Sequence, residues 1–515
     1  MSNSFDPPPP YYEAPRAGFA VKGDAAELSY DDPDLPERSF GCLGFLIAGF
    51  IWLAIAAFIT FSLFSPYRPD EDRKPEDDYT VAGIEQAPVM LDVGMRSLDP
   101  KVESSDELAD PTSDMPAPYL ERLARTVITL ERSGPTEARE QLLALDEFAE
   151  QENFTPNSFE QRRRETLGRL FQDVENGDYE LPSVSNDDRE DLVKGLGWSG
   201  ELALEPPGSP QASPKRTQLI ERAARFCVTM VAVVLGVSGL FIAGIFACII
   251  SIVLLATRRL KFKPVEVVGR GTVYLETFGL WLLVFTVGSA LIQLSMPGNQ
   301  LLGALLGSLL SIGTLIWPLM RGVPMGEMLR DIGWRCESLP REVFSGIWGY
   351  VSALPVIAGF LFLYLLVYLA GAVVLGGGAE PGLFERPEGP SHPINDLAKN
   401  ADWSELSMLF ILAVVMAPIV EETFFRGVLY RHLREVSNRW HRWGSALVSA
   451  LVTGFVFAAI HPQGVLLIPP LGMLGMIFAF LREWRGSIVA SMTAHAMHNG
   501  ILVTILFLML SATTV

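Results

Sequence analysis

The chain has 515 residues, 49% of them hydrophobic, and a formal net charge of −19. That length allows two or three domains, and several apolar runs exceed the 18 or so residues that cross a bilayer as a helix. Residues 65–222 hold 35 acidic and 18 basic side chains, so most of the excess charge lies in one segment. An acidic segment of this kind excludes nucleic-acid binding, which needs a basic face. The four cysteines, Cys42, Cys227, Cys248 and Cys336, lie outside it and have no metal-knuckle spacing, so they read as small apolar residues rather than a disulfide framework.

Residues 1–40 are polar and Pro-rich ("DPPPPYYEAP") and predict a disordered tail of polyproline character. The apolar run at 41–64 starts too far from the terminus for a signal peptide and predicts a retained anchor. The acidic insert at 65–222 reads as loop-like to about Pro116. Helical apolar spacing follows in "PYLERLARTVITLERSG", "TEAREQLLALDEFAEQEN" and "TPNSFEQRRRETLGRLFQDVENG", with Thr136 or Thr155 as N-caps. "EPPGSPQASPK" is a linker back to the membrane. Further spans are expected near 224–256, 272–295, 301–320, 346–376, 404–430, 443–461, 465–481 and 487–511. The expected fold is all-α: a polytopic helical membrane protein of about nine transmembrane helices with a small soluble helical insert. Residues 223–344 form additional membrane helices and 345–515 a core. No pairing of halves resembles the inverted repeats of a transporter.

Loop charge sets the expected orientation. Basic clusters at 258–270, 321–341, 431–442 and 482–485 alternate with basic-poor loops at 296–300, 377–403 and 462–464. Nine spans then place the N-terminus in the cytoplasm and the insert and C-terminus on the outer face.

The segment "MAPIVEETFFRG" at 416–427 puts two acids and an arginine into an apolar span. An ionised carboxylate at mid-bilayer costs about 2.5–3.5 kcal/mol even on insertion scales, so such residues face the protein interior and have partners. Glu422 and Arg426 are four apart and share a helix face, whereas Glu421 is turned about 100° away. Pro418 loosens the helix one turn earlier. Two later spans add Phe457 and His461 ("FVFAAIHP") and His495, His498 and Asn499 ("MTAHAMHNG"). A poorly solvated carboxylate is a competent general base for water, histidine assists as base, shuttle or ligand, and an amide can donate to an oxyanion. That equipment suits amide hydrolysis. There is no H-E-x-x-H, and no Ser or Cys flanked by a base.

The ordered E-E-x-x-x-R of Glu421, Glu422 and Arg426, F-x-x-x-H of Phe457 and His461, and H-x-x-x-N of His495 and Asn499 resemble the CPBP family of CAAX proteases and bacteriocin-processing (Abi-like) intramembrane proteases. The resemblance covers about 345–511. It implies water-mediated endoproteolysis of a peptide or membrane-protein substrate within the bilayer, by an integral protein of a bacterial cytoplasmic membrane. Glu421 with His461 would activate water, His495 and Asn499 would hold it or stabilise the oxyanion, and Glu422 with Arg426, beside Phe457, would brace the site. The family is often labelled metallo-dependent, and a metal-free route is also argued for it. A zinc ion, if held, would take Glu421, His461 and His495 as ligands. A water between Glu421 and His461 needs no metal and accounts for Asn499 as an amide donor.

One expectation conflicts with this. His461 lies about 27 Å along a helix starting at Trp443, whereas His495 is about 13 Å from its own cytoplasmic boundary. The two meet only if the 443–461 helix tilts or starts outside the bilayer, or if the basic 431–442 segment is raised. Two other classes compete with the protease: a catalytically silent scaffold or immunity factor on the same fold, and an ion pathway, since buried acids and histidines also build proton relays.

Overall fold

The computed structural model describes residues 42–64, 86–99, 101, 110–113, 117–209, 213–262, 269–296, 299–375, 403–438, 441–461 and 465–513. The expected 1–40 tail and most of the stretch expected to be loop lie outside these residues. The protein is an all-helical, polytopic membrane protein. Among the described residues, nine helices are long and apolar enough to cross a bilayer.

The first is α1 (Cys42–Phe64). Six helices outside the candidate spans follow: α2 (Ala87–Leu98), α3 (Tyr119–Ser133), α4 (Pro135–Gln151), α5 (Ser158–Glu175), α6 (Asn186–Leu196) and α7 (Trp198–Ala203). They enclose one apolar core around Leu123, Val127, Leu145, Leu170, Phe171 and Trp198. α2 falls inside the stretch expected to be loop, because its apolar run "APVML" is too short to show a helical period. The caps also differ from expectation. Asn157, not Thr155, caps α5: its side chain accepts from the N–H groups of Phe159 and Glu160 while Glu160 reaches back to the Asn157 N–H, a capping box. α4 starts at Gly134 with Pro135 in its first position, so Thr136 lies inside the helix.

The next helix, α8 (Pro214–Ala256), is 43 residues long. That is about 64 Å, roughly twice what a bilayer needs. Its N-terminal part carries Leu219, Ala223 and Phe226 into the core of α2–α7. Gly94 of α2 lies so close that an added Cβ would sit 2.3 Å from the Ala223 carbonyl oxygen. The acidic segment and the membrane helix therefore share one packed joint.

The remaining helices are α9 (Val273–Ser295), α10 (Gln300–Met320), the short α11 (Met325–Asp331), α12 (Leu339–Leu375), α13 (Trp403–Val436), α14 (Arg442–Ala459), α15 (Ile468–Arg485) and α16 (Val489–Thr513). α13 carries the "EETFFR" sequence. Its core contact is with α9, where Trp281 stacks on Phe424 at 4.8 Å between ring centroids and meets Phe425 edge-on.

Three of the arginines counted above as loop charge are buried and paired. Arg431 pairs with Glu435 at 2.5 Å, Arg434 with Glu483 at 3.1 Å and Arg485 with Glu342 at 2.6 Å, and all three arginines are buried. Arg434, Ser437, Ser445 and Glu483 form one buried polar group where α13 and α14 meet α15. The charge of Arg431, Arg434 and Arg485 is neutralised in place, which weakens their weight in the orientation count.

Candidate active site

Two π-helical segments flank Glu421 within α13, at Ile411–Met416 and Glu422–Leu429. Widened turns of this kind often mark functional sites. Here the cause of the first can be read from the chain. A π-helix bonds each N–H to the carbonyl five residues back, and Pro418 has no N–H to offer Ala413. The Asn499 side chain fills that position, its Nδ2 donating to the Ala413 carbonyl at 2.8 Å. Asn499 is therefore tied to the α13 backbone two turns before Glu421 by one amide proton, with the other left over.

Glu422 and Arg426 are both fully buried and pair at 2.8 Å. The guanidinium also donates to the Gly475 carbonyl at 2.9 Å. Three aromatic rings surround it, with Phe457 at 4.6 Å, Phe478 at 5.2 Å and Phe425 at 5.7 Å from the guanidinium carbon. The approach requires glycine on α15, since a Cβ on Gly475 would sit 2.9 Å from the Gly454 Cα and 3.2 Å from Arg426 Nη2.

The same Glu422 oxygen that binds Arg426 also accepts from His495 Nδ1 at 3.0 Å. Phe478 stacks on the His495 ring at 5.0 Å, so the ring is held both in plane and in tautomer. His461 Nδ1 donates to the Phe457 carbonyl at 2.5 Å, which fixes the second histidine the same way. Each ring then directs its Nε2 toward Glu421 Oε2, at 3.9 Å from His461 and 3.8 Å from His495. Oε2 is buried and has no hydrogen-bond partner. Three polar atoms thus converge beyond direct hydrogen-bond distance of the carboxylate oxygen. A water molecule, with two protons to give, satisfies such a set.

The donor types also suit zinc, which takes a His₂Glu set in catalytic sites, but the spacing does not. Zinc ligands at about 2.0–2.2 Å in a tetrahedron stand about 3.3–3.5 Å apart, closer than the 3.8 and 3.9 Å seen here. Among the described residues, no three His, Cys, Asp or Glu side chains are grouped to hold an ion.

Glu421, Glu422, Arg426, Phe457, His461 and His495 are thus brought into one cluster by α13, α14 and its C-terminal end, and α16, while Asn499 lies one turn beyond His495 on α16 and reaches Ala413 instead. His498 is not part of the cluster, because its Nδ1 pairs with the Tyr350 hydroxyl at 3.1 Å on the α12 side. Phe478 and Gly475 belong to the cluster and the Ala413 carbonyl receives Asn499; none has a signature in the sequence beyond the lone glycine and proline that permit them. His461 and His495 reach the same carboxylate although one closes its helix and the other opens its own. Arg434 of α13 bonds both Glu483 of α15 and Ser445 of α14, which joins the three helices at that end.

Residues 403–501 match the family model described as type II CAAX prenyl endopeptidase Rce1-like. The match runs from the start of α13 past Asn499, so the motif-based resemblance holds and the chain carries an Rce1-like domain. No curated protein and no solved structure matches the chain.

Proposed function

We propose that this protein is an intramembrane endopeptidase in which Glu421 activates a water molecule against a peptide bond. The observation that carries this is the convergence of two histidine Nε2 atoms on the partnerless Glu421 oxygen. A water seated there gives one proton to Glu421 and hydrogen-bonds a histidine with the other, which aims an oxygen lone pair outward. Attack on the substrate carbonyl forms the C–O bond and moves the C=O π pair onto oxygen. In this reading the second amide proton of Asn499 donates to that oxyanion. Collapse breaks the C–N bond, and the proton on Glu421 passes to the departing amine. Glu422 acts through His495, fixing its ring, and Arg426 holds Glu422.

The substrate is a peptide or membrane-protein segment, admitted from the side where Glu421 and His461 remain 15% and 20% exposed. In this reading the N-terminus is cytoplasmic and residues 65–222 are exoplasmic. The test compares the termini of membrane peptides in cells carrying the wild-type chain and a Glu421→Gln copy. New termini that vanish with the variant support the assignment. Identical peptide sets, with both proteins present in the membrane, overturn it in favour of a non-catalytic scaffold.

A further inference from the structure

α14 presents Ser445, Ser449, Thr453 and Phe457 at steps of four, which is one ridge of a helix, and His461 follows just past its end. The ridge runs antiparallel along α13, and contacts at both ends fix its register. His461 faces Glu421 at 3.9 Å, and Phe457 packs edge-on against Phe425 at 5.2 Å. At the other end, Ser437 Oγ lies 2.7 Å from Ser445 Oγ and 3.3 Å from Ser449 Oγ. Every four residues forward on α14 answer four residues back on α13. Thr453 therefore falls opposite Leu429 and Tyr430, one turn from Arg426.

The ridge is polar where it is most enclosed. Ser437, Ser445, Ser449 and Thr453 are all buried, Thr453 completely. A buried hydroxyl on a helix ordinarily donates to the carbonyl four residues back, as Thr277, Thr423 and Ser437 do here. Thr453 Oγ1 makes no such bond and has no other partner. Two more buried atoms on α13, Arg426 Nε and Glu422 Oε2, also have no partner. A hydroxyl, an N–H donor and a carboxylate oxygen left unpaired in an apolar interior are costly, and ordered water with two to four polar partners is the usual remedy.

We propose that the Ser445–Thr453 ridge of α14 holds a short file of water molecules joining the Arg434–Glu483 cluster to the rear of the Glu422–Arg426 pair, and that this file replenishes the water consumed at Glu421. The second half of the statement rests on the hydrolytic reading above. Hydrolysis takes one water for each bond cut. A substrate seated on the open side covers Glu421 and His461, so water entering from behind does not compete with it.

The test is X-ray radiolytic hydroxyl labelling of the full chain in lipid nanodiscs, which oxidises side chains next to bound water. Tyr430 and Phe457, 0% and 2% exposed, are expected to be labelled at doses that spare Phe278 and Phe424, both 0% exposed. Thr453→Val keeps the shape and removes the hydroxyl; it should lower Tyr430 labelling several-fold, and Thr453→Ser should restore it. Tyr430 and Phe457 labelled no more than Phe278 and Phe424, or labelling unchanged in Thr453→Val, overturns the file. The readout needs no turnover, so a dry ridge refutes the file whatever the chain cleaves. A labelled ridge in a chain that cleaves nothing refutes only the hydrolytic reading and the replenishing role with it. With a cleaved peptide in hand, Thr453→Val should lower kcat and leave KM unchanged, with Thr453→Ser restoring kcat; an unchanged kcat removes the replenishing role.

Discussion

Glu422→Gln separates the two adjacent acids. One Glu422 oxygen accepts from both Arg426 and His495, and all three side chains are almost wholly buried. The amide keeps one acceptor oxygen but removes the charge that answers Arg426. Stranding a buried partner in this way costs about 3–5 kcal/mol. The Gly475 carbonyl and three aromatic faces remain around the guanidinium, and a cation–π contact contributes about 0.5–2 kcal/mol, so the lower end, about 3 kcal/mol, is expected. Glu421→Gln removes no hydrogen bond, because its buried oxygen has none, and should cost under about 1 kcal/mol. Unfolding of purified protein in mixed micelles by titration with a denaturing detergent reads both. Cleavage falls in each variant, in Glu421→Gln for want of a base and in Glu422→Gln because the His495 ring loses its orienting acceptor. The pair Glu422→Gln with Arg426→Met removes the stranded charge and should regain most of the stability without the activity. Equal destabilisation by the two single variants, or no recovery in the pair, would refute the division of roles.

Three further outcomes follow from the geometry. Gly475→Ala should destabilise by about 1–3 kcal/mol through overpacking, seen in the same titration, because its Cβ meets the Gly454 backbone and Arg426; an unchanged midpoint would mean that α14 and α15 can part freely. A membrane-impermeant thiol reagent on intact cells should label Leu143→Cys, on an exposed position of α4, and spare the exposed native Cys336; the opposite pattern inverts the orientation. Elemental analysis of active protein should find no stoichiometric zinc, and chelator should leave turnover intact; activity lost to chelator and restored by zinc would make His461, His495 and Glu421 ligands.

The spans were legible because hydropathy is a one-dimensional signal, and the nine helices fall where the apolar runs lie. The Glu422–Arg426 pair was legible because four-residue spacing fixes a helix face before any packing is known. The lengths were less so. α8 begins near residue 214 rather than 224, because its first turns are polar and bury their apolar side against another helix instead of lipid. Burial of Arg431, Arg434 and Arg485 was invisible, since an arginine paired with a distant acid looks in sequence like one in a cytoplasmic loop.

Asn499 marks the limit most clearly. Its motif placed it near the catalytic acids as an oxyanion donor, but its bond to Ala413 depends on three facts at different levels. Pro418 removes an N–H, the π-helical register moves the orphaned carbonyl to Ala413 rather than Val414, and α16 must pass within reach of it. Only the first can be read locally. The consequence is functional. A membrane helix that exposes an unpaired carbonyl to lipid is unstable, so the side chain that satisfies it has a structural obligation before any catalytic one. Asn499 meets that obligation with one proton and keeps one. A carboxylate there would offer no proton to Ala413, and a hydroxyl would have none left after donating. The carboxamide is the smallest neutral group that can satisfy the Ala413 carbonyl and still keep a donor proton.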